Sequence, residues 1–380
     1  MRGRIPESPV EIAPAEALRW LREGALLIDV REPGERASGH ADGSIPVPLA
    51  SLGARIGEIA PDRERPIALI CAVGGRSLAA ARQLRAMGHA RAASVAGGFV
   101  RWRSEGLPVA LEGALDADTG ERYARHLVLP EVGIDGQRRL ARARVLLVGA
   151  GGLGAPAAFY LAAAGVGHLR IVDDDRVERS NLQRQILHAD ARVGMRKVES
   201  ARIALAALNP RIEVEPVAER MGAANVERLL DGQDLVVDGA DNFPTRYLLS
   251  AASVRMRVPL VYGAVHRFSG QVSVFDPRRA DSPCYRCLFP QPPSAAEAPN
   301  CSEAGVLGVL PGIVGLLQAN EALKLLLGIG EPLVGRLLCF DALAASFREL
   351  RLPRDPGCPG CGIDARFTGY EDLTAICASA

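Results

Sequence analysis

What this 380-residue sequence lacks narrows it first. It has no bias of charge: 45 Lys and Arg stand against 44 Asp and Glu, a formal net charge of +1. No field recruits a polyanion, so nucleic acid is not expected as a partner. A secretory signal is not expected either, because the first twenty residues hold Arg2, Arg4, Glu7, Glu11, Glu16 and Arg19 without an apolar core segment. The most apolar stretch, residues 305–330, is interrupted by Pro311, Gln318, Glu321 and Lys324 and reads as a buried helix rather than a membrane span. These absences point to a cytoplasmic protein with no membrane partner. Eight cysteines in a chain of this length, two pairs of them spaced C-x-x-C, do not suit a disulfide framework. They fit metal binding or catalysis under reducing conditions.

What is present allows two or three domains, since 48% hydrophobic and 23% charged residues are ordinary globular composition. Pro14–Arg22 reads as a helix, residues 25–30 (ALLIDV) as a strand, and residues 31–49, rich in Gly, Pro and charge, as a loop. A second strand, Ile67–Ile70, runs into CAVGGRS (71–77) and then into a helix ending near Gly88. A loop of N–H groups closing on a helix N-terminus, with Arg76 beside it, stabilises a thiolate or a persulfide anion on Cys71. Such settings bring a thiol pKa from about 8.5 to roughly 3.5–7.5. The alternative is a cysteine buried as a small hydrophobe. Gly74, Gly75 and Arg76 argue against it, because packing needs no anion-binding loop.

Residues 144–154, RVLLVGAGGLG, combine a strand-type apolar run with Gly149, Gly151, Gly152 and Gly154 at the spacing of a phosphate-binding turn that opens a helix. Alone, this turn does not separate NAD from ATP. A strand at His168–Val172 ends at Asp173, about twenty residues on, where an acid binds ribose hydroxyls. Asn181 opens NLQRQ, and Arg184 and Lys197 follow within a short region, which suits a triphosphate better than a dinucleotide. Strand Leu235–Asp238 then leads into GADN, where Asp241, beside Asn242, could hold Mg²⁺ with the phosphates. Each charged residue alone is ordinary solvated surface. In sequence order they read as an ATP site.

Cys284 and Cys287 form one C-x-x-C knuckle, and Cys358 and Cys361 form a second far downstream. Brought together they make a closed tetrahedral Cys₄ site of the structural Zn²⁺ type. A redox pair is the competing reading. Cys339 and Cys377 read as packing or incidental residues.

Two resemblances follow. LIDVRE (27–32), GHADGSIPVPL (39–49), CAVGGRS and GGFVRWRSEGLPV (97–109) together resemble a rhodanese-type sulfurtransferase domain. This implies a parallel-sheet α/β domain in which Cys71 carries sulfur as a persulfide. Ala72 stands where several thiosulfate-using members carry Arg, so a persulfide or thiosulfate donor stays open. ERYARH, GAGGLGAP, SNLQRQ, VGMRKVESA, DGADNFPTRY, PCYRC and NCSEAGVLG closely resemble the MoeB/ThiF family, relatives of ubiquitin-activating enzymes. By that resemblance Gly152 and Asp173 hold the nucleotide, Arg184 and Lys197 its phosphates, and Asp241 positions Mg²⁺. Arg125 reaches into the partner subunit's site of a homodimer. Cys301 matches a position that some members use for a thioester or acyl disulfide.

The expected fold is α/β. A rhodanese-like domain (1–111) and a linker (112–118) precede a Rossmann-like ATP-binding domain (119–380), whose mostly parallel sheet continues into a zinc-braced part. The helix carrying ERYARH is expected to start at a capping box of Asp118 and Glu121. The expected function is ATP-dependent adenylation of a ubiquitin-like sulfur carrier, in the first place the molybdopterin synthase small subunit, followed by sulfur transfer from Cys71. Carriers of thiamine, tRNA thiolation or sulfur-amino-acid routes are the alternatives. A non-catalytic carrier-binding scaffold or persulfide sensor is the alternative of another class.

Overall fold

The computed structural model describes residues 10–36, 39–110, 116–292 and 305–370. The chain divides into two units, Met1–Arg122 and Tyr123–Ala380.

The first unit is built on short apolar runs buried on both faces, the pattern of a covered parallel sheet. Its strands are β1 (Glu11–Ile12), β2 (Leu26–Asp29), β4 (Ile45–Pro46), β5 (Ile67–Ile70) and β6 (Ala92–Val95), paired in the order β1-β6-β5-β2-β4 and parallel throughout. A separate antiparallel pair joins β3 (His40–Ala41) to β7 (Val109–Ala110). Residues 31–49 are not a plain loop. They hold the helix Pro33–Arg36 together with β3 and β4. Asp29, wholly buried at the end of β2, gathers this segment by accepting from Arg31 Nη2 at 2.8 Å and Arg36 Nη1 at 2.7 Å.

The second unit is an eight-stranded sheet. β8 (Arg144–Val148), β9 (His168–Val172), β10 (Glu213–Val217), β11 (Leu235–Asp238) and β12 (Leu260–His266) run parallel, in the order β10-β9-β8-β11-β12. β13 (Ser269–Phe275), β14 (Arg336–Asp341) and β15 (Ser346–Arg351) extend it antiparallel. Strand order reverses between β9-β8 and β8-β11, which opens a crevice at the carboxyl end of β8, the usual ligand position in such sheets.

The helix Val309–Leu327 is long and apolar enough to cross a membrane by length and composition. Here it packs against the sheet, burying Leu310, Val314, Ala319 and Ala322. Its buried Gln318 donates to the carbonyls of Asp238 at 2.6 Å and Val261 at 3.2 Å. Gly263 leaves the space that this side chain fills.

The expected capping box is displaced. Asp118 lies inside the helix Ala117–Arg122, and Asp116 caps it, accepting from the Thr119 N–H at 3.1 Å and its hydroxyl at 2.7 Å.

Candidate active site

Cys71 leaves β5 with 1% of its surface exposed. Gly74, at φ +104°, turns the following loop so that its N–H donates to Cys71 Sγ at 3.1 Å. The Ser77 hydroxyl lies 3.4 Å from the same sulfur. Burial pushes the Cys71 thiol up, but the Ser77 hydroxyl and the N–H groups of Ser77, Gly74 and Val73 outweigh it, and the net shift is downward. Gly98 closes the loop from the far side, where a Cβ would collide with the Cys71 and Ala72 carbonyls.

Arg76 takes a different place from the one its position in the motif suggests. Its guanidinium donates through Nη1 to Glu35 Oε2 at 2.7 Å and through Nη2 to Glu35 Oε1 at 2.5 Å. Direct stabilisation of Sγ comes from backbone N–H groups and Ser77. Arg76 holds the Glu35 carboxyl down to about 2.

In the second unit β8 delivers the glycine turn. Gly149, at φ +93°, lies so close to the next strand connection that a Cβ would sit 2.7 Å from the Gly239 carbonyl. This brings GADN against the turn. Gly151 and Gly152 remain partly open, and a Cβ on Gly152 would stand 3.6 Å from Arg184 Cγ. Gly154 starts the helix Gly154–Ala164 with no room for a side chain. Asp173 Oδ2 accepts the Ala150 N–H at 2.8 Å, and Oδ1 accepts the Asp175 N–H at 2.8 Å. Burial raises the pKa of Asp173. Lys197, 6% exposed, places Nζ 2.7 Å from Asp175 Oδ2. The four glycines, Asp173, Arg184, Lys197 and the Asp241 loop therefore share one end of the sheet.

Asn242 caps the helix Phe243–Met256 by accepting the Thr245 N–H at 3.0 Å. Asn181 accepts the Glu178 N–H at 3.2 Å. Both asparagines shape the loops on which the charged residues stand. Arg125 is exposed on the helix Ala124–Leu127, and among the described residues its side chain makes no hydrogen bond or ion pair. Cys301 lies outside the described residues.

Sequence reasoning missed His188, a lone histidine in no motif. It is buried, with Nε2 2.9 Å from the Ala150 carbonyl and Nδ1 2.9 Å from Ser200 Oγ. That geometry assigns the proton to Nε2. His188 thus pins the glycine turn to the helix Lys197–Leu208. Asp238 was also missed. It is wholly buried at the end of β11, burial pushes its pKa up to about 6, and its Oδ1 accepts the Ala240 N–H at 2.9 Å.

A nucleoside triphosphate fits this cradle: open glycines, partly free N–H groups at a helix start, two cations and an exposed carboxylate. The cysteines fit zinc equally well. All four sulfurs lie within 4.8 Å of one another, with Cys284 to Cys358 at 3.6 Å and Cys287 to Cys361 at 3.5 Å. Zn–S bonds of about 2.3 Å imply tetrahedral edges of about 3.8 Å. Hydrogen bonds from Cys284 and Cys361 hold the Cys287 thiol down, and donating to Cys287 pushes Cys284 up. A dication would offset the cost of the further thiolates.

Comparison with known proteins agrees with both halves. The ThiF family profile matches residues 123–360, and the rhodanese-like domain profile matches residues 13–105. The chain is 53% identical over 263 residues to the SAMP-activating enzyme E1 of Haloferax volcanii, covering 69% of this chain and 96% of that protein. It is 52% identical over 260 residues to the sulfur carrier protein adenylyltransferase of Thermus thermophilus, covering 68% and 96%. It is 48% identical over 279 residues to the probable adenylyltransferase/sulfurtransferase MoeZ of Mycobacterium tuberculosis, covering 72% and 70%. The fold is shared with the crystal structure of E. coli MccB with AMPCPP and MccA, at a TM-score of 0.57 and 22% identity, covering 66% of this chain and 75% of that one.

Proposed function

The chain belongs to the ThiF family and carries a rhodanese-like domain in the same polypeptide, and from that premise we propose that it activates a ubiquitin-like sulfur carrier. It adenylates the carrier's C-terminal glycine with ATP and converts that carboxylate to a thiocarboxylate with sulfur held on Cys71. The names of its relatives, sulfur carrier protein adenylyltransferase and adenylyltransferase/sulfurtransferase, support this reading. The observation that carries it is the pairing, in one chain, of a buried thiol served by N–H donors with a glycine turn flanked by Arg184 and Lys197.

The carrier carboxylate attacks the α-phosphorus of ATP and expels pyrophosphate. Arg184 and Lys197 stabilise the charge that gathers on the phosphate oxygens. Mg²⁺ at Asp241 would supply further neutralisation when bound. The resulting acyl adenylate is a good electrophile. The Cys71 persulfide attacks its carbonyl carbon, AMP leaves, and the carrier is joined to Cys71 through an acyl disulfide. A second thiolate then attacks the Cys71 Sγ and forms a disulfide with it as the S–S bond to the acyl sulfur breaks and the thiocarboxylate leaves. Cys301 is the candidate for that thiol. Placing both activities in one chain raises the effective concentration of persulfide beside a hydrolysable intermediate.

The reading extends to a carrier of the molybdopterin synthase small-subunit type, to a homodimer in which Arg125 serves the partner's nucleotide, to zinc in the Cys₄ cluster and to a cytoplasmic setting suited to free thiols. Carrier-dependent ATP–pyrophosphate exchange tests its first step. Exchange with one carrier and not the others names the carrier, and no exchange with any carrier returns the chain to a non-catalytic scaffold. Mixed dimers of Cys71→Ser and Asp241→Ala subunits test the homodimer: recovered thiocarboxylate formation supports delivery between subunits.

A further inference from the structure

The ion pair at the mouth of the Cys71 loop bears on where the sulfur comes from. Arg76 stands at the start of the helix Gly75–Ala86, two residues beyond the glycine that donates to Cys71 Sγ. There it would meet any anion approaching the sulfur. Yet both of its terminal nitrogens are bonded to the Glu35 carboxylate, a bidentate geometry that uses the face by which a guanidinium recognises oxyanions. The Glu32 N–H donates to Glu35 Oε2 at 3.1 Å and fixes the carboxylate in place. Two neighbouring cations have carboxylate partners of their own. Arg31 is buried on Asp29 and the Gly39 carbonyl, and Arg101 Nε donates to Glu105 at 2.7 Å. Around this neutralised charge the rim is apolar: Val73 is 70% exposed and Val100 61%. Val100 is tied to the loop by its N–H on the Ala72 carbonyl at 3.1 Å.

We propose that Glu35 selects the sulfur donor at Cys71, withholding Arg76 from dianionic thiosulfate so that an organic persulfide loads the thiol. Thiosulfate needs a cation for its sulfonate while its outer sulfur meets Sγ, and the Glu35 carboxylate occupies that cation and cancels its attraction for the dianion. An organic persulfide carries less charge and an organic body that suits the Val73 and Val100 rim. The Cys71 thiolate attacks the terminal sulfur of R–S–SH. A new S–S bond forms, the S–S bond of the donor breaks, R–S⁻ leaves, and the proton stays on the transferred sulfur.

This inference rests on the proposed sulfur-transfer role of Cys71, but its test uses neither ATP nor carrier. The full chain is incubated with thiosulfate, with cysteine persulfide, or with a cysteine desulfurase and cysteine, and the gain of one sulfur at Cys71 is followed by mass spectrometry. The wild type should load at least about ten-fold faster from a persulfide than from thiosulfate, and Glu35→Gln should raise the thiosulfate rate about ten-fold, equivalent to about 1.4 kcal/mol. The double substitution Glu35→Gln with Arg76→Gln should lose that gain. Glu35→Asp, which keeps the charge, should stay slow with thiosulfate. Faster loading from the desulfurase than from cysteine persulfide makes the donor a protein, and the reverse makes it a small molecule. Either result agrees with the proposal. Equal loading of the wild type by thiosulfate, or a loss with every donor in Glu35→Gln, overturns it alone. No loading of the wild type by any donor overturns the sulfur-transfer reading along with it.

Discussion

Lys197 Nζ lies 2.7 Å from Asp175 Oδ2, and the Lys197 N–H donates to the Asp175 carbonyl at 3.0 Å, so one residue fixes both ends of the lysine. Lys197 is 6% exposed, and Asp175 pre-orients its ammonium beside the glycine turn. Lys197→Ala should lower carrier-dependent pyrophosphate exchange by about 10²–10³-fold, the usual loss when one charge-stabilising donor is removed. Asp175→Asn, which only loosens the lysine, should raise the KM for ATP several-fold with a smaller effect on kcat. Steady-state exchange kinetics check both, and an Asp175→Asn enzyme with unchanged KM would contradict the positioning role.

His188 should make the second unit acid-sensitive. Burial lowers its pKa from 6.5 to about 4. Between those values the unfolded chain binds a proton that the folded chain refuses, so stability rises with pH there and is lost as pH falls from about 6.5 through about 4. Two to three pKa units correspond to about 3 kcal/mol. His188→Gln lacks this linkage. Urea unfolding at pH 7 and pH 4 should show the gap between wild type and variant narrowing by about that amount as pH falls.

Cys358→Ser should abolish bound zinc and cost folding before catalysis. Zinc in a Cys₄ site contributes on the order of 10 kcal/mol to folding. The variant should therefore appear mainly in the insoluble fraction. Native mass spectrometry should find one zinc per wild-type chain, and a chelator should lower the Tm of the wild type.

Gly149→Ala should disable nucleotide binding. It forces φ +93° on a residue with a Cβ and places that Cβ 2.7 Å from the Gly239 carbonyl. A left-handed strain of about 1–2 kcal/mol adds to the collision. Equilibrium ATP binding should weaken at least ten-fold, about 1.4 kcal/mol.

The parts of this molecule that follow from short-range pattern were legible in the sequence. β5, β9 and β11 span the residues their sequence pattern marks, and the glycines of residues 149–154 sit in the turn their spacing implies. Clustering of the four knuckle cysteines also followed from spacing. Long-range pairing that leaves no motif was not legible. Glu35 and Arg76 are 41 residues apart, and nothing local in either segment announces the other. His188 acts through a carbonyl, which any residue supplies, so it leaves no motif. Residues 31–49 read as a loop because two-residue strands carry no periodicity. Asp116 and Asp118 are equally good caps on paper, and only the Thr119 N–H decides between them.

The central claim is that Cys71 sulfur ends on an ATP-activated carrier. The most direct measurement incubates the chain with ATP, Mg²⁺, a persulfide donor and a carrier, and weighs the carrier for the exchange of one oxygen by sulfur. The account predicts that exchange for the wild type, its absence without ATP, and its loss in Cys71→Ser while carrier-dependent pyrophosphate exchange continues. Thiocarboxylate formed at an undiminished rate by Cys71→Ser would contradict it.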